Sequence, residues 1–134
     1  MWALFNYEKF PIIHVSFQSE LHKDSDFQLF LDEWRLNLSK QKPFTFIFDT
    51  SQVSIASIKY SYQMAQFIEE CKQLQYNYLQ KSIIFTNSNF VKYMLSLIFT
   101  IQKPISPVYI TESKDEIENI LQNKINESVQ CIHP

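Results

Sequence analysis

The chain contains no glycine at all in 134 residues. Average usage would supply about nine. The absence excludes a Walker A loop, a dinucleotide-binding G-x-G-x-x-G and a G-x-S-x-G nucleophile elbow, which all need glycine for close backbone approach or positive φ. Turns fall instead to Asn, Asp and Ser. Arginine occurs once, at Arg35, so no arginine cluster can capture phosphate. Cys71 and Cys131 stand far apart, and His14, His22 and His133 show no metal-ligand spacing, so neither a metal nor a cofactor is expected. The longest apolar run, MLSLIFTI at 94–101, is too short to span a bilayer, and residues 1–8 do not read as a signal peptide. A net charge of −2 disfavours nucleic acid as a partner. The expectation is a reduced, cytoplasmic chain, intracellular in the broad sense that includes an organelle or virion. Low Gly, Ala and Arg beside high Ile, Phe, Lys, Asn and Tyr matches an AT-rich genome, which speaks to source and not to mechanism.

What is present is apolar. Hydrophobic residues make up 46% and aromatics 16%, which predicts one packed domain over 1–134. WALFNY (2–7) and PIIHVSF (11–17) read as two strands joined by a tight turn. Phe27, Phe30, Leu31, Trp34 and Leu38 recur at helical steps, with Ser25 and Gln28 spaced as a capping box. FTFIFD (44–49) and SIIFT (82–86) lack polar alternation and read as central strands buried on both faces. Between them Tyr60, Met64, Phe67, Cys71, Leu74 and Tyr78 form a stripe that predicts a helix over about 56–78. A third helix is expected at 88–101 and a last strand at 106–111. Ser113 and Glu116 make a second capping box, and Ile117, Ile120, Leu121 and Ile125 give the final helix its face. The tail 127–134 is expected to fray. Strands alternating with helices predict an α/β fold: a mixed, mostly parallel sheet of four to five strands with about four helices, only the first hairpin antiparallel.

Three strand–helix junctions look alike: FIFDTS, IIFTNS and VYITES. All fall on the carboxyl edge of such a sheet. Asp, Thr, Asn and Ser are what capping and turn chemistry require there, so Asp49 reads as structural.

The pattern resembles the STAS domain, the fold of bacterial anti-sigma-factor antagonists and sulfate-transporter tails. VSFQSEL (15–21) sits where the family has a short strand, a turn and a Leu. FIFDTSQVSIAS (46–57) is similar to the family's apolar strand followed by Asp-Leu-Ser, a variable residue and Val, with Asp49, Ser51 and Val53 matching. SPVYITESKDEIENIL looks like its closing strand and helix. The family's phosphorylatable Ser would fall at Ile58 or Lys59, its Gly at Tyr60 and its Asp at Ser57, so the phosphoserine motif is missing. Ser54 and Ser57 lie close by as candidate phosphosites. The resemblance implies a STAS-like, non-enzymatic binding module.

Two functions follow as expectations. The first is protein interaction or assembly through helix 88–101, which carries nine apolar or aromatic residues in fourteen positions, more than one buried stripe requires. Tyr93, Leu97 and Phe99 are the candidate interface, and the partner is another protein or a second copy of the chain, making an oligomer. The alternative is a small-ligand or anion site on the carboxyl edge, rimmed by Asp49, Thr50, Ser51, Thr86, Asn87 and Ser88, with Thr111 and Ser113 beyond. Catalysis is not expected. Asp49 and Lys103-Pro104 resemble parts of a response-regulator receiver, but the acidic pair after the first strand is missing and the Lys-Pro precedes the last strand. Membrane-surface contact is disfavoured, because helix 88–101 carries only Lys92.

Overall fold

A computed structural model describes residues 1–18 and 20–134. It is α/β, with six strands in one mixed sheet and four helices. The elements are β1 (Ala3–Asn6), β2 (Ile12–Phe17), α1 (Asp24–Ser39), β3 (Phe44–Asp49), α2 (Lys59–Lys72), β4 (Leu79–Phe85), α3 (Asn89–Ile101), β5 (Val108–Thr111), α4 (Lys114–Leu121) and β6 (Gln130–Ile132). The strands lie side by side in chain order. β2 to β5 run parallel, and the two edge pairs, β1 with β2 and β5 with β6, are antiparallel.

β3 and β4 hold the centre, as their unbroken apolar runs predict. The alternation of side chains across β3 divides the interior into two layers. Phe44, Phe46 and Phe48 join Ile13, Val15, Ile84 and Ile110 on one face, under the apolar stripes of α1 and α2. Ile47 and Ile83 point the other way and meet Ile120 of α4. The predicted stripe of α1 is buried in full: Phe27, Phe30, Leu31, Trp34 and Leu38 are all core. Cys71 is buried with them, and desolvation pushes its thiol up to about 12, with the nearby Glu70 carboxylate adding to the rise.

Several boundaries differ from expectation. The sheet has a sixth strand where a frayed tail is expected: Gln130–Ile132 pairs antiparallel with Val108–Ile110 and closes that edge. α1 begins at Asp24 with Lys23 as its N-cap residue, so Ser25 lies inside the first turn and caps nothing. α2 spans 59–72, not 56–78. Asn77 takes over beyond it: its carbonyl accepts from the Leu79 amide at 3.0 Å and its amide donates to the Ile105 carbonyl at 3.1 Å. That local turn competes with helix, and Leu74 is left exposed. α4 ends at Leu121, so Ile125 lies beyond it and is also exposed. The left-handed backbone positions fall on Gln41 and Asn123, the first a residue type not expected in that role.

Candidate functional site

The carboxyl edge comes together as the junction pattern predicts, but the side chains of Asp49, Thr50, Thr86, Ser88 and Thr111 are engaged with nearby backbone. The Asp49 carboxylate accepts from the Ser51 amide at 2.9 Å. The Thr50 hydroxyl donates to the Phe85 carbonyl at 2.8 Å. Thr86 accepts from the Ser88 amide at 3.1 Å, and Ser88 accepts from Val91 at 3.2 Å as the N-cap of α3. Thr111 accepts from the Ser113 amide at 3.1 Å. Thr50, Thr86 and Thr111 are buried, while Ser51, Asn87 and Ser113 are exposed. Ser113 stands at the N-cap of α4 without accepting a side-chain bond, so the second capping box is incomplete.

The cations near this edge are also engaged. Lys59 pairs with Asp24 at 2.9 Å, Lys92 pairs with Glu112, and the Lys114 ammonium lies over the Phe85 ring, 5.3 Å from its centroid. The Lys59 ammonium and the Tyr60 hydroxyl, which donates at 2.9 Å, hold the Asp24 carboxyl below its usual range. Ser57 accepts from the Lys59 amide at 3.3 Å, and Ser54 and Ser57 both sit on the exposed surface of the β3–α2 loop. Asp49→Asn is expected to keep the fold and cost on the order of 1 kcal/mol, because Asn retains an acceptor for the Ser51 amide and loses only the charge. Urea unfolding checks this; a loss above about 3 kcal/mol would mean that Asp49 holds more than its own turn.

A second surface forms where α2 meets α3. The Ser61 hydroxyl lies 3.2 Å from Met94 Sδ and 3.5 Å from the Met94 carbonyl. At the far end the Gln102 amide donates to Glu69 at 2.6 Å, and Lys72 donates to Gln102 at 2.5 Å. These contacts fix which helix faces adjoin. At about 100° per residue, Ile58 and Tyr62 lie on the outer flank of α2 beside Ser61. Phe90, Tyr93, Leu97 and Ile101 lie on the facing outer flank of α3 beside Met94. Ile58, Tyr62, Tyr93 and Ile101 are 48%, 50%, 54% and 50% exposed, and Phe90 and Leu97 are half-buried. The two flanks make one apolar ridge.

Of the three expected interface residues, Tyr93 and Leu97 belong to this ridge. Phe99 does not: it turns inward and packs against the main core. Ile58, Tyr62 and Ile101 are ridge residues that the sequence pattern does not single out. Nine apolar residues in one helix do not reveal which of them face down, and Ile58 and Tyr62 join the ridge only through the α2–α3 contact. Among the described residues no helix is long and apolar enough to cross a membrane. Compared with known proteins, the chain matches no family model, no curated protein and no solved structure.

Proposed function

We propose that the chain is a non-enzymatic docking module of STAS-like type, which binds another protein or a second copy of itself through the α2–α3 ridge. The observation that carries this reading is the ridge itself: four large apolar side chains about half exposed on two adjoining helices. Each forgoes roughly 1.5–3 kcal/mol that full burial would supply. A cluster of that kind, with two tyrosines, has the composition of an interface hot spot. The STAS-like reading is supported by the parallel strands laid down in chain order and by Asp49 closing the central strand into a turn. A lipid surface fits less well, because Lys92, the only cation of α3, is paired with Glu112. The carboxyl edge is the weaker site, since Asp49, Thr50, Thr86, Ser88 and Thr111 and the nearby cations already have partners.

Tyr62→Glu and Tyr93→Glu test the reading. Both side chains are about half exposed, so stability should stay within about 0.5 kcal/mol of the parent chain. Self-association by sedimentation equilibrium, or affinity for a captured partner, should fall at least about tenfold for each, equivalent to 1.4 kcal/mol. Association unchanged by both substitutions would reject the ridge as the contact.

A further inference from the structure

The layer between the sheet and helices α1 to α3 contains a partly open cavity of about 190 Å³. Its walls come from many elements and are almost wholly apolar, with Phe48 and Ile84 on the sheet side and Leu95 on α3. Trp2, Trp34 and Ser106 also line it. Each of these three carries a buried polar atom, Nε1 of both indoles and the Ser106 Oγ, with no hydrogen-bond partner among the described residues. Buried polar atoms are seldom left so, and each calls for an explanation. Two further atoms share this state, on Gln63 and Glu116, and neither residue lines the cavity. Three of these five atoms thus belong to residues of the cavity wall and lie just beneath its apolar surface, where a side-chain rotation would bring them to a ligand's acceptor.

We propose that this cavity is a binding site for a small aromatic molecule bearing one hydrogen-bond acceptor. The volume sets the size. An apolar cavity of about 150 Å³ takes benzene, so this one takes a ring with a short substituent. The indoles set the polarity, because an indole N–H only donates and asks for an acceptor. Ser106 can donate to the same group. Water is the poorer occupant: at roughly 30 Å³ each about six molecules would fit, and each needs two to four polar partners that an apolar wall does not supply. The loop at 50–58 gives the entrance. It joins β3 to α2 outside helix and strand, and it contributes Thr50, Val53 and Ala56 to the lining. The proposal rests on different observations from the ridge, which lies on the outer flanks of the same helices and shares only Phe90 with the cavity lining.

Acetophenone and ethylbenzene are the probes, nearly equal in shape and differing in one carbonyl. Titration of the full chain by calorimetry should give tighter binding of acetophenone by about five- to tenfold, the worth of one buried hydrogen bond. Trp2 and Trp34 are the chain's only tryptophans, so their two indole N–H signals report on the site by nuclear magnetic resonance. At least one should shift with acetophenone and neither comparably with ethylbenzene. Ala56→Leu fills the entrance and should weaken binding at least about tenfold with the fold retained. Ser106→Ala, a milder change, should narrow the preference for acetophenone should the first variant fail to fold. No binding of either probe, equal binding of both, or binding that leaves both indole signals unmoved would each overturn the proposal.

Discussion

Phe46→Ala is expected to destabilise the protein by about 3–5 kcal/mol, the range for removing a fully buried aromatic ring. Phe46 is 0% exposed in the middle of β3. Its ring centroid lies 4.9 Å from Trp34, 4.9 Å from Phe48, 5.1 Å from Phe44 and 6.1 Å from Phe5. Two of those pairs are between neighbours on its own strand, and the others reach α1 and β1. One ring thus joins three elements. Phe46 does not line the interior cavity, so truncation opens a void among groups already in contact. Domains of this size are stable by about 5–15 kcal/mol, so the variant should sit at the edge of unfolding. Leu36→Ala is the control: Leu36 is 54% exposed on α1 and should move stability by no more than about 0.5 kcal/mol. Urea unfolding at matched slopes measures both. A Phe46→Ala loss below about 1 kcal/mol, or one equal to the control, would show that the aromatic cluster does not carry the core.

The parts of this architecture that could be read in the sequence are those written in local periodicity. FTFIFD has no polar alternation because β3 is covered on both faces, by Phe46 under α1 and by Ile47 under α4. The stripe of α1 is legible because five residues at helical steps all point one way. What could not be read depends on partners remote in sequence. β6 is three residues, Gln-Cys-Ile, with no pattern of its own, and it is a strand because β5 offers an open edge. Asn37 reads as a polar residue on a helix, yet it is 1% exposed. It donates to the Tyr7 hydroxyl at 3.0 Å, and Tyr7 donates to Glu33 at 2.6 Å. Burial, and then the bond to Glu33, pushes the Tyr7 hydroxyl up to about 12. The same limit applies to the candidate sites. The carboxyl rim was visible as three similar junctions, but that its hydroxyls bond to neighbouring backbone was not. The surplus of α3 was visible, but which residues it leaves outside depends on where α2 lies. The cavity has no sequence signature, since its walls come from residues spread between Trp2 and Val108.

Lys81→Met is expected to cost about 1.5–3 kcal/mol, the range for hydrogen bonds to a charged group. Lys81 shares a sheet face with Ile83, the face that α4 covers. Its ammonium donates to the Ile120 carbonyl at 2.9 Å and to the Asn123 side chain at 3.0 Å. Those acceptors mark the carboxyl end of α4 and the left-handed residue after it. A cation is favoured there by the negative end of the helix dipole, and it takes the second lone pair of the Ile120 carbonyl, which already accepts from the Asn123 amide at 3.1 Å. α4 has no basic residue in its own last turn, so β4 supplies the charge across the sheet. Met keeps the length and apolar stem of the side chain and removes its donors, so the loss reports the cap and not packing. It should be local, with amide exchange accelerating most in α4 and β6. Desolvation holds the Lys81 ammonium below its ordinary value of 10.5. The folded chain therefore releases this proton before the unfolded chain does, and stability linked to Lys81 rises with pH through that window. The gap between the parent chain and Lys81→Met should accordingly widen as pH rises toward the ordinary lysine value of 10.5. A gap that closes as pH rises would mean that the cap favours the charged form more than desolvation opposes it, and a loss below about 0.5 kcal/mol at neutral pH would mean that the ammonium lies against the end of α4 without holding it.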